Sequence, residues 1–76
     1  MFPKAKKFLE TRGYVCIYDP IESKAVRVFR GKNGDKYYLK SRGFKEKELE
    51  PSYKRIFDII NDAGNEIITR LDYDNL

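Results

Sequence analysis

A chain of 76 residues is long enough for one small domain, taken here as residues 1–76, and too short for two separately packed cores. A single cysteine excludes an intrachain disulfide, and with no histidine a general base near neutral pH would have to be a strongly shifted carboxylate or lysine. The net charge of +4 is uneven: residues 1–44 hold eleven Lys and Arg against four Asp and Glu, whereas residues 45–76 hold five against eight. That asymmetry suits either an acidic partner or two halves that neutralise each other by packing.

Residues 3–12 read as a short helix. Phe2, Ala5 and Leu9 fall on one stripe widened by Phe8, with Lys4, Lys6 and Lys7 on the outer side. Pro3 fits a first helical turn, and Gly13 supplies the left-handed residue that ends it. The opening MFPKAKKFLETRG lacks the apolar stretch of a signal peptide, and no run nears the roughly 20 apolar residues of a membrane span. The expectation is a cytoplasmic protein without membrane contact.

Residues 14–18, YVCIY, are apolar on both faces, as an interior strand requires, and Cys16 reads as a small buried hydrophobe. Asp19-Pro20 ends the strand. Asp19, Glu22 and Lys24 have the residue types of a metal-dependent nuclease. That chemistry needs carboxylates projecting from adjacent strands onto one metal, and these share one turn, so the reading is rejected.

Residues 25–42 carry the strongest local signal. Alternating runs flank Asn33-Gly34, the dipeptide of a type I′ hairpin turn. With Asn33-Gly34 as the loop, Phe29 faces Tyr38, Val28 faces Leu39 and Arg27 faces Lys40. One face then carries Val26, Val28, Tyr37 and Leu39 as a core face, and the other carries Arg27, Phe29, Tyr38, Lys40 and Arg42. Like charges directly across a ladder repel, so Arg27 opposite Lys40 calls for an anion, either a partner's phosphate or one of the chain's own carboxylates. The aromatic pair is either covered by a helix or open as a platform.

Gly43 and the charged run 45–48 read as a polar connection. Pro51 then fits the start of a helix with Tyr53, Ile56, Phe57 and Ile60 as its stripe and Gly64 at its end. Residues 66–73 alternate as a last strand, and Asp72, Asp74 and Leu76 form a solvated acidic end. The resulting order, α-β-β-β-α-β, specifies a small single α+β domain: an antiparallel three- to four-stranded sheet with helices packed on one face. The opposite face stays open as a binding surface or a homodimer interface.

No Gly-rich phosphate loop, paired metal-binding cysteines, or Ser or Cys beside a base is present, so the expected protein is a non-enzymatic binder with no cofactor and no metal. The favoured partner is nucleic acid. Arg27, Arg30, Lys32, Lys36, Lys40 and Arg42 would neutralise phosphates, while Phe29 and Tyr38 stack on single-stranded bases. The alternative is a protein-interaction module, monomeric or homodimeric, of the kind a bacterial or phage accessory protein uses to modulate a larger host enzyme. Residues 34–38, GDKYY, and 65–72, NEIITRLD, faintly resemble segments of the small dimeric phage inhibitors of uracil-DNA glycosylase; those inhibitors are acidic where this chain is basic, and membership is not assigned. Exposure of Arg27, Lys40 and Arg42 together would favour nucleic acid, and internal partners for these cations would favour protein.

Overall fold

The computed structural model describes all of residues 1–76. Its elements are α1 (Pro3–Arg12), β1 (Tyr14–Asp19), β2 (Lys24–Gly31), β3 (Gly34–Ser41), β4 (Lys47–Leu49), α2 (Lys54–Ile60), β5 (Glu66–Ile68) and α3 (Arg70–Asp74). The strands form one antiparallel sheet in the order β4-β3-β2-β1-β5. The domain is therefore α+β as expected, with a fifth strand and a third helix beyond the expected set. No helix is long and apolar enough to cross a membrane.

The first third follows the sequence reading closely. In α1, Phe2, Ala5 and Leu9 are buried, Lys4, Lys6 and Lys7 are exposed, and Gly13 closes the helix at φ 78° with its N–H on the Leu9 carbonyl. β1 lies between β2 and β5 and is covered on both faces, by α1 and α2 on one and by Tyr73 near the chain end on the other, which is why it is apolar on each. Val15 and Ile17 enter the main core with Val26 and Val28 of β2, beneath Phe2, Ala5 and Leu9 of α1 and Ile56, Ile59 and Ile60 of α2. Cys16 points the other way and is fully buried.

The β2–β3 hairpin forms, but not with the expected turn. Gly31 faces Gly34, Lys32 and Asn33 make the tip, and neither tip residue has positive φ; that conformation falls on Gly34, at φ 119°. Type I′ geometry requires positive φ at both central residues and is absent. Glycine at Gly31 lets the strands close here, because a Cβ at that position would lie 2.9 Å from the Gly34 carbonyl oxygen. Pairing consequently moves by two residues, so that Arg27 faces Tyr38 and Val28 faces Tyr37. A one-residue slip would have reversed the faces, whereas a two-residue shift preserves them. Val26, Val28, Tyr37 and Leu39 do pack on the core side. The expected repulsion across Arg27 and Lys40 does not arise, since Lys40 faces Ala25.

Three further expectations are corrected. The charged connection contains β4, whose Leu49 packs against the core opposite Tyr37. α2 begins at Lys54 rather than at Pro51, because Glu50 to Tyr53 form a turn closed by the Tyr53 N–H on the Glu50 carbonyl (3.0 Å), with proline in its favoured second position. The helix ends at Asn61, not Gly64, and buries Ile56, Ile59 and Ile60 while Tyr53 and Phe57 face outward.

The last strand stops at Ile68. Thr69 caps α3 by accepting the Asp72 N–H at 3.0 Å, and Arg70 pairs with Asp74 one turn later at 2.9 Å. α3 lies on the second face of the sheet, where its Tyr73 is fully buried against Cys16 and Ala25.

Candidate functional site

The face opposite the main core has an occupied centre and an open end. At its centre, Arg27 sends its guanidinium to Glu46 at 2.6 Å, with 14% of the Arg27 side chain and 25% of the Glu46 side chain exposed. The guanidinium carbon lies 4.1 Å from the centre of the Tyr38 ring and 5.9 Å from that of Tyr73. Arg27 Nε and the Tyr73 hydroxyl are buried without a hydrogen-bond partner. Burial raises the Tyr73 phenol above its usual range, and the nearby Glu46 carboxylate pushes it further the same way. Burial also pushes the Cys16 thiol up to about 11, so it carries no thiolate at neutral pH.

The neighbouring cations also have internal partners. Lys40 donates to the main-chain oxygen of Leu76. Arg42 donates to the Tyr18 hydroxyl at 3.1 Å, a bond that lowers the Tyr18 pKa. Arg30 lies 3.6 Å from its cross-strand neighbour Asp35. The sequence reading did not foresee Glu46, Tyr73 or Leu76 at this face, although Thr69-x-x-Asp72 is a helix-capping signature that could have turned the chain end into a helix over the sheet.

The open end lies toward the hairpin tip. Tyr14 and Phe29 are cross-strand partners there, 37% and 46% exposed, and Lys36 stands opposite Phe29 on the next strand. Lys32 and Lys36 are exposed and form no ion pair. Phe29, Tyr38, Lys32 and Lys36 line one shallow groove beside the tip. Of the eight residues nominated from sequence, Phe29, Lys32, Lys36 and Tyr38 therefore share this groove. Arg30 alternates onto the other face, where it forms an exposed ion pair with Asp35; Arg27 and Lys40 are held by partners within the fold, and Arg42 is exposed with its bond to Tyr18 at the surface. Tyr14 is the residue the nomination missed, and β1–β2 pairing is what brings it next to Phe29.

The rejected Asp19–Lys24 constellation serves the turn itself. Asp19 Oδ1 accepts the N–H groups of Ile21 (3.0 Å) and Glu22 (3.3 Å), and Glu22 pairs with Arg55 of α2. No group of three or more His, Cys, Asp or Glu side chains is placed to hold a metal ion. Compared with known proteins, the chain matches no family model, no curated protein and no solved structure.

Proposed function

We propose that the hairpin-tip end of the second sheet face binds single-stranded nucleic acid. The partners of Arg27, Lys40 and Arg42 count against nucleic acid at the centre of the face; the observation that carries the reading at its open end is the exposed Tyr14–Phe29 pair with unpaired Lys36 and Lys32 beside it. Two aromatic faces offer stacking surfaces to unstacked bases, and the lysines supply charge for the intervening phosphates. Arg30 is not part of this surface, since it alternates with Val26 and Val28 onto the other face and is paired there with Asp35.

The test is fluorescence anisotropy with a labelled single-stranded oligonucleotide and its duplex at two salt concentrations. Stacking is worth about 1–3 kcal/mol per base, so Phe29→Ala should weaken single-strand binding about tenfold. Lys36→Glu should weaken it and flatten its salt dependence. Equal affinity for the duplex, or no loss in Phe29→Ala, would refute the stacking role.

A protein partner is the second reading. It is supported by Tyr53 and Phe57, one helical turn apart and both exposed on the outer side of α2. Sedimentation of the wild type beside Tyr53→Ser/Phe57→Ser tests its homodimeric form, which a concentration-independent monomer would exclude.

A further inference from the structure

A second part of the sheet, at the start of β1, is also left open. The Arg30 N–H bonds the Gly13 carbonyl at 2.8 Å, so by the alternation of an antiparallel ladder the odd-numbered residues of β1 exchange hydrogen bonds with β2. The even-numbered residues direct their N–H and C=O groups to the β5 side. β5 meets only Cys16 to Tyr18, and at Thr69 the chain turns away into α3. The backbone groups of Tyr14 are thus aimed past the end of β5 along an open strand edge.

That edge opens into a cleft of about 330 Å³ between the end of α1 and the start of α3. Its floor is apolar, built by Phe8, Val15, Ile67 and Ile68, and two guanidinium groups, Arg12 and Arg70, also line it. Arg12 stacks 4.6 Å from the centre of the Phe8 ring and has no carboxylate partner. Arg70 holds Asp74 through Nε alone, at 2.9 Å, which leaves both of its terminal nitrogens as donors. An apolar floor, two cations and an unpaired strand edge are complementary to one kind of occupant. An extended chain could pair with the edge, seat an apolar side chain on the floor and end in a negative charge.

We infer that this cleft binds the C-terminal residue of an extended peptide. The peptide continues the line of β5 beside Tyr14 of β1, its last apolar side chain rests on Phe8 and Ile67, and its carboxylate meets Arg12 and Arg70. The site shares Tyr14 with the stacking face, using its backbone groups rather than its ring, and does not depend on that reading.

The experiment is an NMR titration of the ¹⁵N-labelled full chain with three probes: an acetylated hexapeptide of alternating Thr and Ile ending in a free Ile carboxylate, its C-terminal amide, and decanoate. Saturable shifts of the amides of Tyr14, Val15 and residues 67–70 are expected with the free acid, and binding at least tenfold weaker with the amide. Arg12→Ala should weaken the peptide at least fivefold. Asp74→Ala, which keeps the Arg70 guanidinium and removes its partner, should not weaken it. Both substitutions are at exposed positions, so the pair tests the charge requirement without disturbing the core. Equal binding of acid and amide, shifts confined to other regions, or no saturation at millimolar peptide would overturn the inference. Decanoate binding as tightly as the peptide would also overturn it, by assigning the cleft to free amphipathic acids.

Discussion

Replacing Glu46 with glutamine isolates the interaction that distinguishes a structural Arg27 from a ligand-binding one. Two unit charges about 4 Å apart attract by about 4 kcal/mol at an effective dielectric near 20 and by about 1 kcal/mol in water. With 14% and 25% of the two side chains exposed, the Arg27–Glu46 pair lies between those limits, and desolvation of both groups offsets part of the gain. A net coupling of about 1.5 kcal/mol follows. Glu46→Gln should cost about 2 kcal/mol, because it also leaves a half-buried guanidinium without its counter-charge. Arg27→Met keeps an apolar stem but loses the contact with Tyr38, and should cost a similar amount. The double variant should fall short of the sum of the two by the coupling. For a domain of this size a urea slope of about 1 kcal/mol per molar makes each single change a shift of about 2 M in midpoint. Urea unfolding followed by circular dichroism measures all four proteins. A coupling below about 0.5 kcal/mol would refute the structural role. So would an Arg27→Met protein that loses more oligonucleotide affinity than Lys36→Ala does.

Two other outcomes follow from the same geometry. The Cys16 thiol has a folded pKa of about 11, above its unfolded value near 9, so folding favours the protonated form. The stability this contributes is complete below pH 9 and is lost as pH rises toward 11; Cys16→Ala should show a shallower decline over that window in pH-dependent urea unfolding, and parallel curves would contradict the assignment. Thr69→Val separates a helix cap from a strand residue: it should cost about 1 kcal/mol as a lost cap, measured by thermal unfolding, whereas β-branched valine would stabilise a continuing strand.

What could be read from the letters was whatever depends on period alone. The α1 stripe, the doubly apolar β1 and the two faces of the hairpin all have a repeat that survives errors in exact pairing, and the faces of β2 and β3 remained right although their register moved by two. The turn was misread because Asn33-Gly34 is a strong signal, while the close approach of the Gly31 and Gly34 backbones depends on both strands. β4 has three residues, too few for a pattern, and one apolar side chain. In α2 the letters could not tell which side meets the sheet: Ile59 went unread, and Phe57 was placed inside when it faces out. In the site, the orientation of Arg27 and Lys40 was legible. Their partners were not, because Glu46 comes from a loop and Leu76 from the far end of the chain.

The place of β1 in the sheet also governs when the protein can fold. β1 is the first strand to be synthesised, yet one of its two neighbours is the last, with Cys16 beside Ile68, and the start of α1 is tied to the end of α2 through the Phe2 N–H and the Ile60 carbonyl at 2.9 Å. Until residues 66–68 are in place, β1 is a central strand with one side unpaired and an apolar Val15–Ile17 segment partly uncovered. The helix-sheet core therefore closes in a late, non-local step rather than accumulating element by element.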